Sequence, residues 1–335
     1  MKDLISIIGE YPEGISAGDI EALTNNSRAT INRKLRDALV SNQIVRSGRG
    51  KNTIYRDADT LRPIRAYFDK SHTERSIARF QEELLSPIPE FDLSQVAPMS
   101  SFRPLEKRDM VKFLIDFSCA SSVLEGGTYS LLDTQALIEY GERAPDKPLA
   151  DAFLVLNHKS AFEFLFDHRH LDLGTIIEVH KRLTDDHGID ELIDAPHFLR
   201  DDRRGQIRDY EDVNIGQSAY IPPLRPGTGY IKKMLELIIN NARQIGNPIQ
   251  NAFYIMTRMP YLQPFNDGNK RTSRVMCNVP LLNAGLPPIS FTDFSKRDYI
   301  VSMLAFYELG DVSMASKCFC EAYMKSCKRL GLLAE

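Results

Sequence analysis

Between positions 263 and 274 the chain reads Gln-Pro-Phe-Asn-Asp-Gly-Asn-Lys-Arg-Thr-Ser-Arg, residue types whose order suits the binding of a polyanion. Gly268 permits a tight backbone turn. The amides of Gly268, Asn269 and Lys270 are then placed to aim at an anion, as the first turn of a helix does. Arg271 and Arg274, three residues apart, add positive charge. Taken singly, each element is weak: an Asp before a Gly is commonly a turn residue, and arginines spaced i, i+3 are commonly a solvated helix face. Together in one continuous stretch they predict a site for a nucleotide.

Such a loop needs a frame to hold it. A chain of 335 residues suffices for two or three units with their own cores, and 43% hydrophobic with 26% charged residues is an ordinary soluble composition. The net charge of -3 selects no partner by itself. There is no run of about 18 apolar residues, and the chain opens polar, Met1-Lys2-Asp3. Neither a membrane span nor a signal peptide is therefore expected, and a cytoplasmic location is. Cys119, Cys277, Cys318, Cys320 and Cys327 lack CxxC spacing and fall in apolar, helical surroundings, which predicts buried free thiols without a structural metal.

Apolar residues recur with the helical period over 109–121, 131–140, 148–167, 173–185, 229–243, 248–259, 268–284, 296–308 and 314–330, so 109–335 is expected to be an all-α domain. The exception, 212–221, reads as a short β-hairpin or extended flap ending at Pro222-Pro223. Residues 1–60 have another character. Helices over 4–8 and 16–23, the second capped by Ser16, precede a third capped by Asn26-Ser27 whose apolar face is Ile31, Leu35, Leu39 and Val40. Ile44-Val45-Arg46 and the run 53–56 then flank Gly48-Arg49-Gly50-Lys51 as two strands with a basic tip. This unit resembles a winged helix-turn-helix domain. Its charge is lopsided: over 27–56, Arg28, Arg33, Lys34, Arg36, Arg46, Arg49, Lys51 and Arg56 stand against Asp37 alone. DNA binding through Arg28, Arg33, Lys34, Arg49 and Lys51 is the functional reading, and a protein-docking or dimerisation module is the alternative. Residues 61–108, with Pro63, Pro87, Pro89, Pro98 and Pro104, are expected to be a linker bearing one bridging helix over 73–85.

The stretch 263–274 closely resembles the signature of the Fic family, HPFxDGNKRTxR, whose members mostly transfer AMP from ATP to hydroxyl side chains of proteins. The resemblance extends over roughly residues 110–330. It takes in Leu156-Asn157-His158 and Val179-His180, read as helix-packing histidines, then Gly205-Gln206-Ile207-Arg208 leading to the flap, and Gly310-Asp311 in the tail. It implies a mainly α Fic-fold bundle that binds ATP with Mg²⁺, the metal on Asp267. It further implies phosphate contacts from the amides of Gly268, Asn269 and Lys270 and from the Asn269 side chain, with Arg271 on the β-phosphate and Arg274 on the γ-phosphate. Ser121-Ser122-Val123-Leu124-Glu125-Gly126 matches the family's inhibitory motif, [S/T]xxxE[G/N]. By that resemblance Ser121, Glu125 and Gly126 are inhibitory, with Glu125 paired to Arg274 so that it fills the donor fork and repels the incoming phosphate. An unidentified protein target would dock on the flap, 215–223, by adding a strand. A homodimer is left open.

Gln263 is the departure. The family signature has histidine there to take the proton from the target hydroxyl, whereas a carboxamide has no basic lone pair near neutral pH. AMP transfer is therefore expected to be weakened or lost. The resulting alternatives are a nucleotide-sensing pseudoenzyme reporting through a DNA-binding transcriptional regulator, different phosphate chemistry or another base, and slow transfer onto a target that carries its own base.

Overall fold

The computed structural model describes residues 3–333 apart from 12, 88–92, 104 and 194, so Lys2, Pro89 and Pro104 lie outside the described residues. The chain divides into two compact units, Met1–Ser76 and Ile77–Glu335.

In the first unit, α1 (Leu4–Gly9), α2 (Ala17–Leu23) and α3 (Arg28–Val40) each begin on a side-chain cap, where Asp3, Ser16 and Ser27 accept from the amides of Leu4, Asp19 and Thr30. Ile8, Ile20 and Ile31 are fully buried between these helices, with Leu35 and Ala38 beside them. The apolar face of α3 differs from expectation at one position. Val40 is 80% exposed, because five residues beyond Leu35 it has turned off the stripe that Ala38 continues. β1 (Ile44–Ser47) and β2 (Ile54–Asp57) form an antiparallel hairpin, to which Ile15 adds a bridge on Tyr55. α4 (Arg62–Phe68) closes the unit with Pro63 in its first turn.

The second unit opens with β3 (Ala78–Arg79), not with the helix expected over 73–85. His72–Glu74 and Glu82–Leu85 are single 3₁₀ turns, and the residues between them are extended. The helices that follow are α5 (Lys107–Glu125), α6 (Leu131–Tyr140), α7 (Leu149–Asp167) and α8 (Leu173–Leu183). After the flap come β4 (Tyr220–Ile221), α9 (Tyr230–Gln244), α10 (Pro248–Leu262), α11 (Asn269–Met276), α12 (Asn278–Asn283), α13 (Lys296–Leu309) and α14 (Ser313–Leu330). α10 is the central rod. Every residue from Ala252 to Leu262 is buried, and it packs against α9, α11, α12 and α13. α11 and α12 replace the single helix expected over 268–284. Pro280 has no amide to return to the Met276 carbonyl and its ring crowds that oxygen, so the chain breaks at Cys277.

The flap takes the extended of its two expected forms. Tyr220–Ile221 pairs in parallel with Ala78–Arg79, leaving the hairpin to the first unit. Among the described residues no helix is long and apolar enough to cross a membrane. All five cysteines are free thiols; Cys277, Cys320 and Cys327 are buried, while Cys119 and Cys318 are partly exposed.

Candidate nucleotide site

The site lies where α10 ends and α11 begins. α10 stops on Gln263, whose left-handed backbone (φ 53°, ψ 60°) turns the chain, and α11 starts from Gly268 at φ 74°. A Cβ on Gly268 would fall 3.0 Å from Thr184 Cγ2 and 3.3 Å from the His180 ring, so only glycine fits there. His180 forms the shelf under the loop. Its ring stacks on Phe265 at 3.8 Å, its Nε2–H donates to the Asp267 carbonyl at 3.0 Å, and its Nδ1 accepts from the Gly205 amide at 2.9 Å. Burial pushes this imidazole down to about 4, so it stays neutral and keeps that tautomer.

Side chains within the loop are bonded to one another. Asn269 Oδ1 accepts from the Phe265 amide at 2.9 Å, while its Nδ2 donates to the Phe265 carbonyl at 2.8 Å and to Gln263 Oε1 at 2.9 Å. Gln263 Nε2 donates in turn to the Pro260 carbonyl at 2.6 Å. Gln263 is thus a buried staple between helix end and loop, with both ends of its carboxamide engaged. Arg208 fastens the same corner from behind. Its buried guanidinium donates to the carbonyls of Gln263 (2.5 Å), Pro223 (2.7 Å), Leu262 (3.3 Å) and Glu211 (3.3 Å), which ties both ends of the flap to the loop.

The two signature arginines are fully buried. Arg271 donates to the carbonyls of Leu183 (3.0 Å) and His197 (2.8 Å) and to Asp267 Oδ2 (2.8 Å). Arg274 donates through Nε to Ser121 Oγ at 2.8 Å, through Nη1 to Tyr299 Oη at 3.1 Å, and through Nη2 to Glu125 Oε1 at 2.5 Å. Glu125 is the last residue of α5. Gly126, at φ 108°, ends that helix, with its own amide and that of Gly127 returning to Val123 and Ser122. Burial alone would raise the Glu125 carboxyl, but Arg274, Arg271 and Lys270 outweigh it and hold the group far below the usual carboxylate range. Glu125, Lys270, Gln263, Asn266, Asp267 and the flap at Asn214–Gly216 border a cavity of about 170 Å³. Asp267, whose side chain is 47% exposed, offers this cavity carboxylate oxygen of the kind a hard divalent cation takes.

Residues 170–281 match the Fic/DOC family. The chain carries a Fic/DOC family domain. Beyond that match it is 23% identical over 257 residues to a protein adenylyltransferase Fic of Nematostella vectensis, covering 73% of this chain and 56% of that protein. It is 26% identical over 195 residues to protein adenylyltransferase fic-1 of Caenorhabditis briggsae, covering 56% and 36%. The chain thus spans about a third to just over half of the length of these curated relatives. Among solved structures, Fic-1 of C. elegans superposes with a TM-score of 0.54 at 19% identity, over 98% of this chain and 80% of that one. A Fic domain containing signaling protein from Bacteroides thetaiotaomicron gives 0.51 at 20% identity, over 72% and 97%. At such identities these two speak for the fold.

The structure brings Ser121 and Glu125, which precede the matched residues, into direct contact with Arg274, and sets Lys270, Arg271 and Asp267 around the cavity that Glu125 borders. The Asn269 side chain has no group left for the phosphate contact expected of it, since the loop backbone and Gln263 occupy it. Asp267 and Arg271, assigned separately to metal and phosphate, bond to each other here. Arg28, Arg33, Lys34, Arg49 and Lys51 all lie exposed on the first unit, Arg28 paired at 3.2 Å with Glu21. Two contributors escaped sequence reasoning: Arg208 as the flap anchor and Tyr299 on Arg274. Each carried a signal only by its place, Arg208 in the Gly205–Arg208 segment and Tyr299 at the start of the tail, 299–318, that shares the family resemblance.

Proposed function

We propose that this chain binds ATP with Mg²⁺ at the 263–274 loop as a relative of protein adenylyltransferases, that Glu125 keeps it autoinhibited, and that Gln263 impairs AMP transfer. The observation that carries this is the buried Arg274 fork, closed by Ser121, Tyr299 and Glu125 at hydrogen-bond distance. Four of the five N–H donors of this guanidinium are engaged, both of those on Nη2 by Glu125 and the Ser121 carbonyl, and the carboxylate repels a terminal phosphate. The α11 N-terminus, with Lys270 and Arg271 beside it, supplies the dipole and charge for the remaining phosphates. Asp267 would hold Mg²⁺, which neutralises phosphate charge when bound. At the position of the base, Gln263 has no titratable group, and its carboxamide is bonded to Pro260 and Asn269. Losing a general base costs about 10² to 10⁴ in rate, so transfer is crippled even with ATP in place. Calorimetry with ATP–Mg²⁺ tests the binding claim: Glu125→Gly binds more tightly than the wild type, and no heat from either protein would sink it. Labelled ATP in lysate tests the second, with labelling by Glu125→Gly/Gln263→His and none by Glu125→Gly alone.

A second reading, a DNA-binding regulator with a nucleotide-sensing Fic domain, is favoured by the exposed Arg33, Lys34 and Arg36 on α3 and Arg49 and Lys51 after β1. It requires salt-sensitive retention of duplex DNA that disappears in Arg33→Ala/Lys34→Ala.

A further inference from the structure

α13 contributes more to the Fic site than Tyr299. Lys296 is its first residue, and three positions later on the same helix face Tyr299 meets Arg274 at 3.1 Å. Lys296 reaches the same neighbourhood. A Cβ built on Gly126, next to Glu125, would lie 3.5 Å from Lys296 Nζ. The ammonium therefore stands against the backbone at the end of α5, one residue beyond the carboxylate that meets Arg274. Burial, and the charges of Arg274 and Lys296, lower the Lys270 amine, with Glu125 and Asp267 opposing them. Arg274, Arg271 and Lys270 thus share Glu125 as counter-charge, and Lys296 adds a fourth cation whose field reaches Lys270.

Helix stability gives no reason for this lysine. A cation in the first turn of a helix opposes the macrodipole by about 0.3–1 kcal/mol. Ser295 already caps α13 by accepting from the Asp298 amide, and Asp298 supplies the favourable first-turn charge. Among the described residues Lys296 makes no ion pair closer than 4.0 Å, so no carboxylate accounts for its position either.

We propose that Lys296 is a specificity-determining residue that contacts the terminal phosphate of a nucleoside triphosphate once Glu125 withdraws, so that the site distinguishes triphosphate from diphosphate. This rests on the ATP reading above. The chemistry is direct: a triphosphate brings a terminal phosphate, and one more negative charge than a diphosphate, to the place Glu125 leaves, and Lys296 Nζ is the atom nearest a Cβ built on the neighbouring Gly126.

The test compares ATP–Mg²⁺ and ADP–Mg²⁺ by calorimetry on the full chain, in Glu125→Gly and in Glu125→Gly/Lys296→Ala. The second change should weaken ATP by roughly 3- to 10-fold and leave ADP within about 2-fold, as expected for one partly exposed charge-assisted contact. Glu125→Gly/Lys296→Arg should restore most of the loss, and added salt should shrink the difference. If ATP is unchanged by Lys296→Ala, or ATP and ADP weaken equally, the inference about Lys296 fails while the ATP reading stands. If Glu125→Gly binds neither nucleotide, the ATP reading fails and takes this inference with it. Melting temperatures of the variants, expected at or above that of Glu125→Gly because a first-turn cation is removed, separate loss of contact from loss of fold.

Discussion

Gln263 shows how one residue without a titratable group can hold a loop's shape. Its carboxamide is a donor to Pro260 and an acceptor from Asn269, a pairing that a neutral amide satisfies at both ends at once. Gln263→Ala should therefore lower stability by about 1–2 kcal/mol in urea denaturation, the loss of one buried hydrogen-bonded pair with its partners left behind. Glu125 behaves differently, through charge. Its folded-state carboxyl is depressed, so the stability it contributes is present above the unfolded value of about 4.3 and is lost only as pH falls through the lower folded value. The gain in ATP affinity from Glu125→Gly should accordingly be flat between about pH 5.5 and 8, and a gain that vanishes toward pH 6 would contradict the charged pair. Much of this was legible in the sequence, because a contiguous motif keeps its neighbours fixed whatever the fold around it. Asn269 shows the limit of the same source: a motif assigns contacts to the ligand, and does not show the bonds that its side chain makes to Phe265 and Gln263 within the loop.

At the level of elements, helix ends decide where the functional groups lie. α5 stops on Gly126 at φ 108°, a conformation that L-residues seldom adopt, and that stop places Glu125 at Arg274. Gly126→Ala should cost roughly 1 kcal/mol or more from backbone strain, since the added Cβ meets only Lys296 Nζ, at an ordinary 3.5 Å. ATP binding should rise at the same time as the melting temperature falls, because the clamp loosens with the helix end. The helices themselves were legible from apolar spacing, as at Leu131–Tyr140, whose bounds match the reading. What spacing could not supply was pairing over long sequence separation. Residues 73–85 look helical in isolation, yet the Ala78 amide donates to the Ala219 carbonyl at 3.0 Å and the Phe80 amide to Ile221 at 3.3 Å. The Gln81 amide then donates to Tyr261 Oη at 2.8 Å, and Tyr261 stacks on Phe80 with ring centroids 5.1 Å apart. Ala78→Pro, which deletes the first of these donors, should speed hydrogen exchange over 219–221 while leaving α10 protected.

For the whole chain, two buried histidines set the acid limit. Burial drives His158 to about 3 and His180 to about 4, against about 6.5 when unfolded. Below about pH 6.5 the unfolded chain takes up protons that the folded one refuses, so stability falls as pH drops from there toward 4. The urea midpoint should decline over that interval, and less steeply in His180→Gln. The two compact units, Met1–Ser76 and Ile77–Glu335, also give the molecule two cores, and substitutions such as Arg33→Ala/Lys34→Ala should leave the ATP heat of the Fic domain unaltered. The short parallel pair of β3 and β4 has its consequence in time. Its partners Ala78 and Tyr220 stand 142 positions apart (220 − 78), so closing that contact costs chain entropy that two ladder residues barely repay, unless the helices between them are already in place. On a ribosome, residues 77–80 would emerge long before their partner strand exists. The flap should thus acquire its hydrogen bonds among the last steps of folding, and the protein would complete the cavity beside residues 263–271 only after nearly all of its core has formed.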